Sequence, residues 1–316
     1  MRLHSIVLRW LFATSAAAAL TACGGHAMVP QSNSGSKTAD AALQQPAAAE
    51  TLLHSFGGPD GAGPSSGVVA DGKGDFFGTT IFGGKGNGTI FELKPKGDGT
   101  YFESVLYSFT GGADGSRPLA GVAMDASGAL YTNTLVGGNG GCPNGCGTVV
   151  KLTPGPKGYT ETTIYGFLPG TDADQPVGTP VVDTAGAVYG ATQFGGTSNN
   201  GAVYKLTPQK DGSYKESVIY SLPGNAGGSL PQSGVAIDSS GNLFGETQYG
   251  GVSSPRCLGG CGVIFKLKVA GKSYTPQTIF QFHGDDGDGP MTAVTVDRTT
   301  GIVYGTTPYG GSDARG

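Results

Sequence analysis

This sequence predicts an all-β fold, a β-propeller of about five four-stranded blades, and three observations carry the prediction. A unit of about 55 residues is spelled five times along the chain. Each unit breaks into short runs rich in Val, Ile, Tyr, Phe and Thr, fenced by Gly, Pro, Asp or Asn, which is how strands between turns read. Glycine fills 59 of 316 positions, much of it at fixed places in the unit, where turns need positive φ or close backbone approach. Four strands in one unit make a small antiparallel sheet that is marginal alone and must bury a face on its neighbour. Radial stacking gives every sheet such a neighbour.

The chain opens with a secretory signal over residues 1–22. Arg2 and Arg9 supply its positive start, and Ile6 to Ala19 supply a short apolar core. That core is too short to span a bilayer. Leu20-Thr21-Ala22-Cys23 resembles a bacterial lipobox. The resemblance implies cleavage before Cys23, a lipid on its thiol, and attachment to a membrane. Gly24 follows rather than Asp, which by the same resemblance favours the outer membrane or cell surface. Residues 23–50 are rich in Ser, Gln, Ala and Pro without strand periodicity, and read as a lipidated flexible linker.

The repeat domain covers residues 51–316, with repeats at about 51–104, 105–163, 164–218, 219–278 and 279–316. Four anchors recur. An apolar-aromatic run ends at Phe56, Phe109, Phe167, Leu222 and Phe282. An apolar pair is closed by Asp71, Asp125, Asp183, Asp238 and Asp297, spaced by 54, 58, 55 and 59 residues. An aromatic strand then leads to a glycine pair: FFGTTIFGG, LYTNTLVGG, VYGATQFGG, LFGETQYGG and VYGTTPYGG. A last strand reads GTIFELKP, GTVVKLTP, GAVYKLTP and GVIFKLKV. Phe77, Tyr131, Tyr189, Phe244 and Tyr304 are expected to pack between blades. The fifth copy stops after Tyr309-Gly310-Gly311 with SDARG, so the last blade is expected to be incomplete and to carry an open strand edge.

Cysteine usage agrees with export. Cys23 is the odd one of five, and the other four form two Cys-x3-Cys loops, Cys142 with Cys146 and Cys257 with Cys261. In an oxidising compartment these read as two local disulfides. A metal or redox site is the sharper alternative, though no histidine lies close in sequence. An acid stands four residues before a proline at Asp60, Asp114, Asp172 and Asp286. Around His283 the run HGDDGDGP gathers Asp285, Asp286 and Asp288 as weak candidates for calcium, which takes several oxygen ligands. Ordinary turn chemistry explains the same pattern, because Asx side chains bond the backbone two residues on. Gly63-Pro64-Ser65-Ser66-Gly67 matches a nucleophile-elbow pattern, but it lacks the strand-to-helix context and reads as a turn.

The formal net charge is −4, and −6 without Arg2 and Arg9, with no basic patch. Nucleic-acid binding therefore has no electrostatic footprint.

The copies resemble the GloVer tandem-repeat family of exported bacterial proteins. The likeness rests on LYSF, GG-x-DG-x-x-P, the LFGET and VYGTT strands, and the GTIFELKP and GTVVKLTP strands. It implies a propeller-like, surface-associated protein and supplies no catalytic residues.

Three function classes follow. The first is a non-enzymatic, lipid-anchored module that binds a protein or polysaccharide. The second is a structural or assembly subunit joined through an open edge. The third is a propeller-fold lyase or glycosidase, which needs two carboxylates at set separation. Even spreading of the acids over equivalent repeat positions favours the first two. No cofactor is expected beyond the calcium candidate.

Overall fold

In the computed structural model, which describes residues 50–170 and 172–311, the repeats form antiparallel sheets and no α-helix. The secretory segment, Cys23 and nearly all of the linker lie outside the described residues.

The first sheet runs β1 (Val69–Ala70), β2 (Phe76–Thr80), β3 (Thr89–Pro95), β4 (Tyr101–Ser108), each strand beside the next. The second is β5 (Ala123–Met124), β6 (Leu130–Thr134), β7 (Thr148–Gly155), β8 (Gly158–Gly166). The third is β9 (Ala173–Val182), β10 (Val188–Gly195), β11 (Ala202–Pro208), β12 (Tyr214–Ser221), and the fourth β13 (Ala236–Ile237), β14 (Leu243–Thr247), β15 (Val263–Ala270), β16 (Ser273–Gln281). A fifth pairs β17 (Thr295–Val296) with β18 (Val303–Tyr304). This is the blade pattern of a β-propeller, one meander per repeat. The run Val105–Ser108 is the end of β4 and closes the first blade rather than opening the second. Each third strand shifts register at the same place, at Ile90/Phe91, Val149/Val150, Val203/Tyr204 and Ile264/Phe265. A repeated bulge of this kind adds twist to every blade.

Blades join through the second residue of each second strand. Phe77, Tyr131, Tyr189 and Phe244 are nearly inaccessible. Phe77 shares a core with Leu130 and Leu152 of the second blade. Tyr131 does so with Val188 and Leu206 of the third, Tyr189 with Leu243 and Leu267 of the fourth, and Phe244 with Val294 and Val296 of the fifth. A cross-strand lysine stacks on three of these rings: Lys151 on Tyr131, Lys205 on Tyr189 and Lys266 on Phe244, at 5.3, 5.2 and 4.9 Å. Tyr304 departs from the expectation and is 51 % exposed, since no described sheet covers it. A second contact lies further out. The aromatic that follows the fourth strand meets the third strand of the next blade, as in Phe167 on Tyr204 at 5.1 Å, and Phe56, ahead of β1, meets Phe91 of the first blade's third strand in the same way at 4.9 Å.

Two glycines show why this residue recurs. Gly147 opens the third strand of its blade at φ 88°, and a Cβ there would stand 2.5 Å from Pro176 of the next blade. Gly234 lies where the inner loops converge, and a Cβ there would stand 2.4 Å from the Thr179 carbonyl. Nearby the Gly121 N–H donates to Thr179 Oγ1 at 2.9 Å. The loop that leads into β13 therefore meets β9 of the neighbouring blade backbone to backbone.

Candidate functional site

In a meander, alternate connections fall on the same edge of the sheet. The turns from first to second strand and from third to fourth share one edge. The loops from second to third strand, and from one blade to the next, share the other.

The acids Asp71, Asp125, Asp183, Asp238 and Asp297 lie on the first edge, and their side chains close its turns. Asp125 Oδ1 accepts the Ser127 and Ala129 N–H groups at 2.8 and 3.1 Å, and Asp183 accepts those of Ala185 and Ala187 at 2.9 Å each. Their second oxygens hold Tyr131 and Tyr189 by the hydroxyl, at 2.9 and 3.0 Å. These carboxylates are occupied by structure.

The opposite edge is built differently. From the second blade on, the residue before the recurring proline is bonded to the preceding blade. Arg117 donates its N–H to the Asn87 carbonyl at 3.0 Å and accepts the Leu135 N–H at 3.2 Å. Leu230 donates to Asn200 at 2.8 Å and accepts from Gln248 at 3.3 Å. Gln175 donates to Cys146 at 2.9 Å. The bridge needs a left-handed backbone, with φ 56° at Arg117, 57° at Gln175 and 52° at Leu230. Glycine takes this place at Gly63 and Gly289. A side chain here costs on the order of 1–2 kcal/mol. Strain of this size marks functional positions often enough to direct attention to them. Polar cavities open at two of these junctions. One, of about 530 Å³, is lined by Asn87, Ser116, Arg117 and Asn144 among others. Its counterpart of about 450 Å³ lies two blades on, with Asn200, Asn225 and Ser229.

The acids four residues before proline fold their own loops on this edge. Asp114 accepts the Thr110 N–H at 2.7 Å and the Tyr107 hydroxyl at 2.9 Å, and Asp172 repeats this with Leu168 and Tyr165. Among the calcium candidates, Asp286 accepts the His283 N–H at 2.7 Å, and Asp285 pairs with Arg256 at 3.1 Å. Asp288 lies beside Cys257 and Cys261. Asp285 and Asp286 are thus engaged with different partners. Cys142–Cys146 and Cys257–Cys261 are disulfide-bonded.

One residue escaped the sequence reading. Glu246 sits on β14, only 1 % exposed, in a cavity of about 300 Å³ lined by Ile264, Phe280 and Phe282 on one side and by Asp286, Thr306 and Thr307 on the other. It accepts the Ser233 hydroxyl at 3.3 Å and a backbone bond from Thr292 of the fifth blade. Burial pushes its carboxyl up to about 8, against those two bonds. The signal was present in the repeat itself. Equivalent strands place Thr79, Asn133, Ala191 and Thr306 there, so Glu246 is the one ionisable residue in that column.

A family model described as the Gloeobacter/Verrucomicrobia repeat matches residues 139–316. No curated protein matches the chain. Among solved structures, it is similar to a protein from Lactobacillus plantarum, at 15 % identity and TM-score 0.44, covering 74 % of this chain and 65 % of that one. It is also similar to a glycoside hydrolase family 43 arabinoxylan arabinofuranohydrolase from Bacillus subtilis in complex with cellotetraose, at 13 % and 0.39, covering 75 % and 57 %. A Trichoderma reesei protein of Carbohydrate-Active Enzymes family AA12, in a calcium structure, stands at 12 % and 0.36, covering 76 % and 56 %. The chain spans less than two thirds of the length of each.

Proposed function

Because the chain belongs to the Gloeobacter/Verrucomicrobia repeat family, whose unit here builds blades with one variable loop edge, we propose that it is a binding module of the cell envelope. It is exported and tethered to a membrane through lipid on Cys23. The observation that carries the reading is the strained residue at equivalent junctions. Arg117, Gln175 and Leu230 hold left-handed backbone where the repeat elsewhere uses glycine. The frame stays constant while the side chain at this place changes, which is how a scaffold presents a site. Asn, Ser, Arg and backbone groups predominate in the adjoining cavities, beside Phe82 and Val136 in one and Pro223 and Leu258 in the other. Such a lining suits a hydroxyl-rich polysaccharide better than an apolar ligand, and a polar protein surface is the alternative ligand.

Replacing Arg117, Gln175 and Leu230 together by Gly keeps the backbone and removes the side chains. Saturable binding of the folded domain to peptidoglycan sacculi or a purified envelope polysaccharide is expected, and at least a tenfold loss in this variant. Lys157→Ala, on the opposite edge, is expected to leave binding intact. Equal binding by all three proteins, or none by the unaltered chain to any envelope polymer or protein, would remove the reading. Anchoring has its own test. Cys23→Ala is expected to move the protein from the membrane to the soluble fraction, and unchanged membrane partition would defeat the lipid assignment.

One observation favours a second reading. A carboxyl held protonated near neutral pH, sharing a cavity with Asp286, has the character of a general acid. Release of reducing ends from a polysaccharide, abolished in Glu246→Gln, would carry that reading over the first.

A further inference from the structure

Two columns of the repeat change together. The residue just before the glycine that opens each third strand is Asn87, Cys146, Asn200 and Cys261. Two residues before the next recurring proline stand Ser116, Asp174, Ser229 and Asp288. Aspartate therefore occurs only in the two blades that follow a Cys-x3-Cys loop, and serine in the two that follow asparagine. The fold brings the columns together at each junction. At the first asparagine–serine junction the two satisfy each other, with the Ser116 hydroxyl donating to Asn87 Oδ1 at 3.1 Å. Where cysteine meets aspartate, the two sulfurs and a carboxylate oxygen lie within 4.8 Å of one another, for Cys142, Cys146 and Asp174 and again for Cys257, Cys261 and Asp288. Asp174 Oδ2 is 3.5 Å from Cys142 Sγ.

A disulfide has no proton to offer a carboxylate. Asp174 Oδ1 is correspondingly buried with no hydrogen-bond partner. An orphaned buried acceptor calls for an explanation, and reduction of the facing disulfide would supply it with a partner. Thiolates and a carboxylate together are a zinc donor set.

We propose that each Cys-x3-Cys pair with its facing aspartate is a redox-gated zinc site, closed as a disulfide and opened by reduction. A dithiol reductant supplies two electrons and two protons to each disulfide and is itself oxidised to a disulfide. The two thiols then release two protons as the thiolates bind Zn²⁺. Asp174 or Asp288 gives the third ligand and water the fourth. Zinc binding thereby competes with re-oxidation of the loop.

The test uses the full mature chain. The oxidised protein, and protein reduced with a phosphine and freed of it without air, are equilibrated with Zn²⁺ against a chromophoric chelator, and thiols are counted in parallel. The oxidised form is expected to hold no zinc, and the reduced form about two ions per chain. Asp174→Asn and Asp288→Asn are each expected to weaken one site at least tenfold with the thiol count unchanged. Four free thiols without bound zinc would overturn the proposal. So would undiminished zinc affinity in the double Asp→Asn variant, which would leave the aspartates no part in it.

Discussion

Truncating Phe167 to alanine is expected to destabilise the domain by about 3–5 kcal/mol and to broaden its unfolding transition. Phe167 is fully buried at the junction of the second and third blades. It meets Tyr165 of β8 at 5.0 Å and Tyr204 of the next blade at 5.1 Å, both edge to face. Its N–H is held by the Gly147 carbonyl at 3.1 Å. Tyr204 is also fully buried, and its hydroxyl donates to Asn133 Oδ1 back in the second blade, at 3.0 Å. The ring thus wedges a junction that a buried polar bond also spans. Its loss leaves a cavity on both sides, and neither wall can collapse because both are strands already paired in their sheets. Each blade meets its neighbours through such a junction, so weakening one uncouples the blades on either side of it. Chemical denaturation followed by tyrosine fluorescence checks both parts. A sharp transition with a loss under about 1 kcal/mol would mean that the blades do not depend on this wedge.

Much of this architecture is readable in the sequence, because turn residues and aromatics recur at fixed places. Phe77, Tyr131, Tyr189 and Phe244 announce the inter-blade cores, and the Cys-x3-Cys loops announce their bonds. The phase of the blades was not readable. A meander repeated end to end has no local mark of where one sheet stops, and Val105–Ser108 pairs backward with β3 only once the chain is folded. The left-handed residues were hidden for a different reason. A residue before proline is expected to be extended, and Arg117, Gln175 and Leu230 are held otherwise by bonds to the preceding blade and, at Arg117 and Leu230, also to the residue that follows their own second strand. Glu246 was visible as a lone charge in a column of Thr, Asn and Ala. Its burial was not, because the group that covers it comes from the inner loop of another repeat. Single-repeat reasoning sees which residues vary, and only the packed neighbour decides what the variation means.

Glu246 yields the other large effect. Its folded-state carboxyl is raised to about 8 from an ordinary value of 4.5. Between those pH values the unfolded chain has lost the proton and the folded one keeps it. The stability that Glu246 contributes is therefore greatest below pH 4.5, is lost steadily as pH rises, and is gone above 8. Each tenfold difference in proton affinity between the folded and unfolded chain corresponds to about 1.4 kcal/mol, so this one group would withdraw on the order of several kcal/mol across the window. Glu216 is raised to about 7 by burial and by Asp172, and it adds a slope of the same sign. A single pH curve would mix the two. The difference between the unaltered chain and Glu246→Gln separates them. Glutamine keeps an oxygen for the Ser233 hydroxyl and the Thr292 N–H, has nearly the shape of the protonated acid, and cannot ionise. The two proteins are expected to match within about 1 kcal/mol at pH 4.5, and the variant to be the more stable by a few kcal/mol at pH 8, measured by urea melts. Parallel curves would mean that the cavity admits enough water to keep Glu246 ionised, and would take from the hydrolytic reading the acid on which it depends.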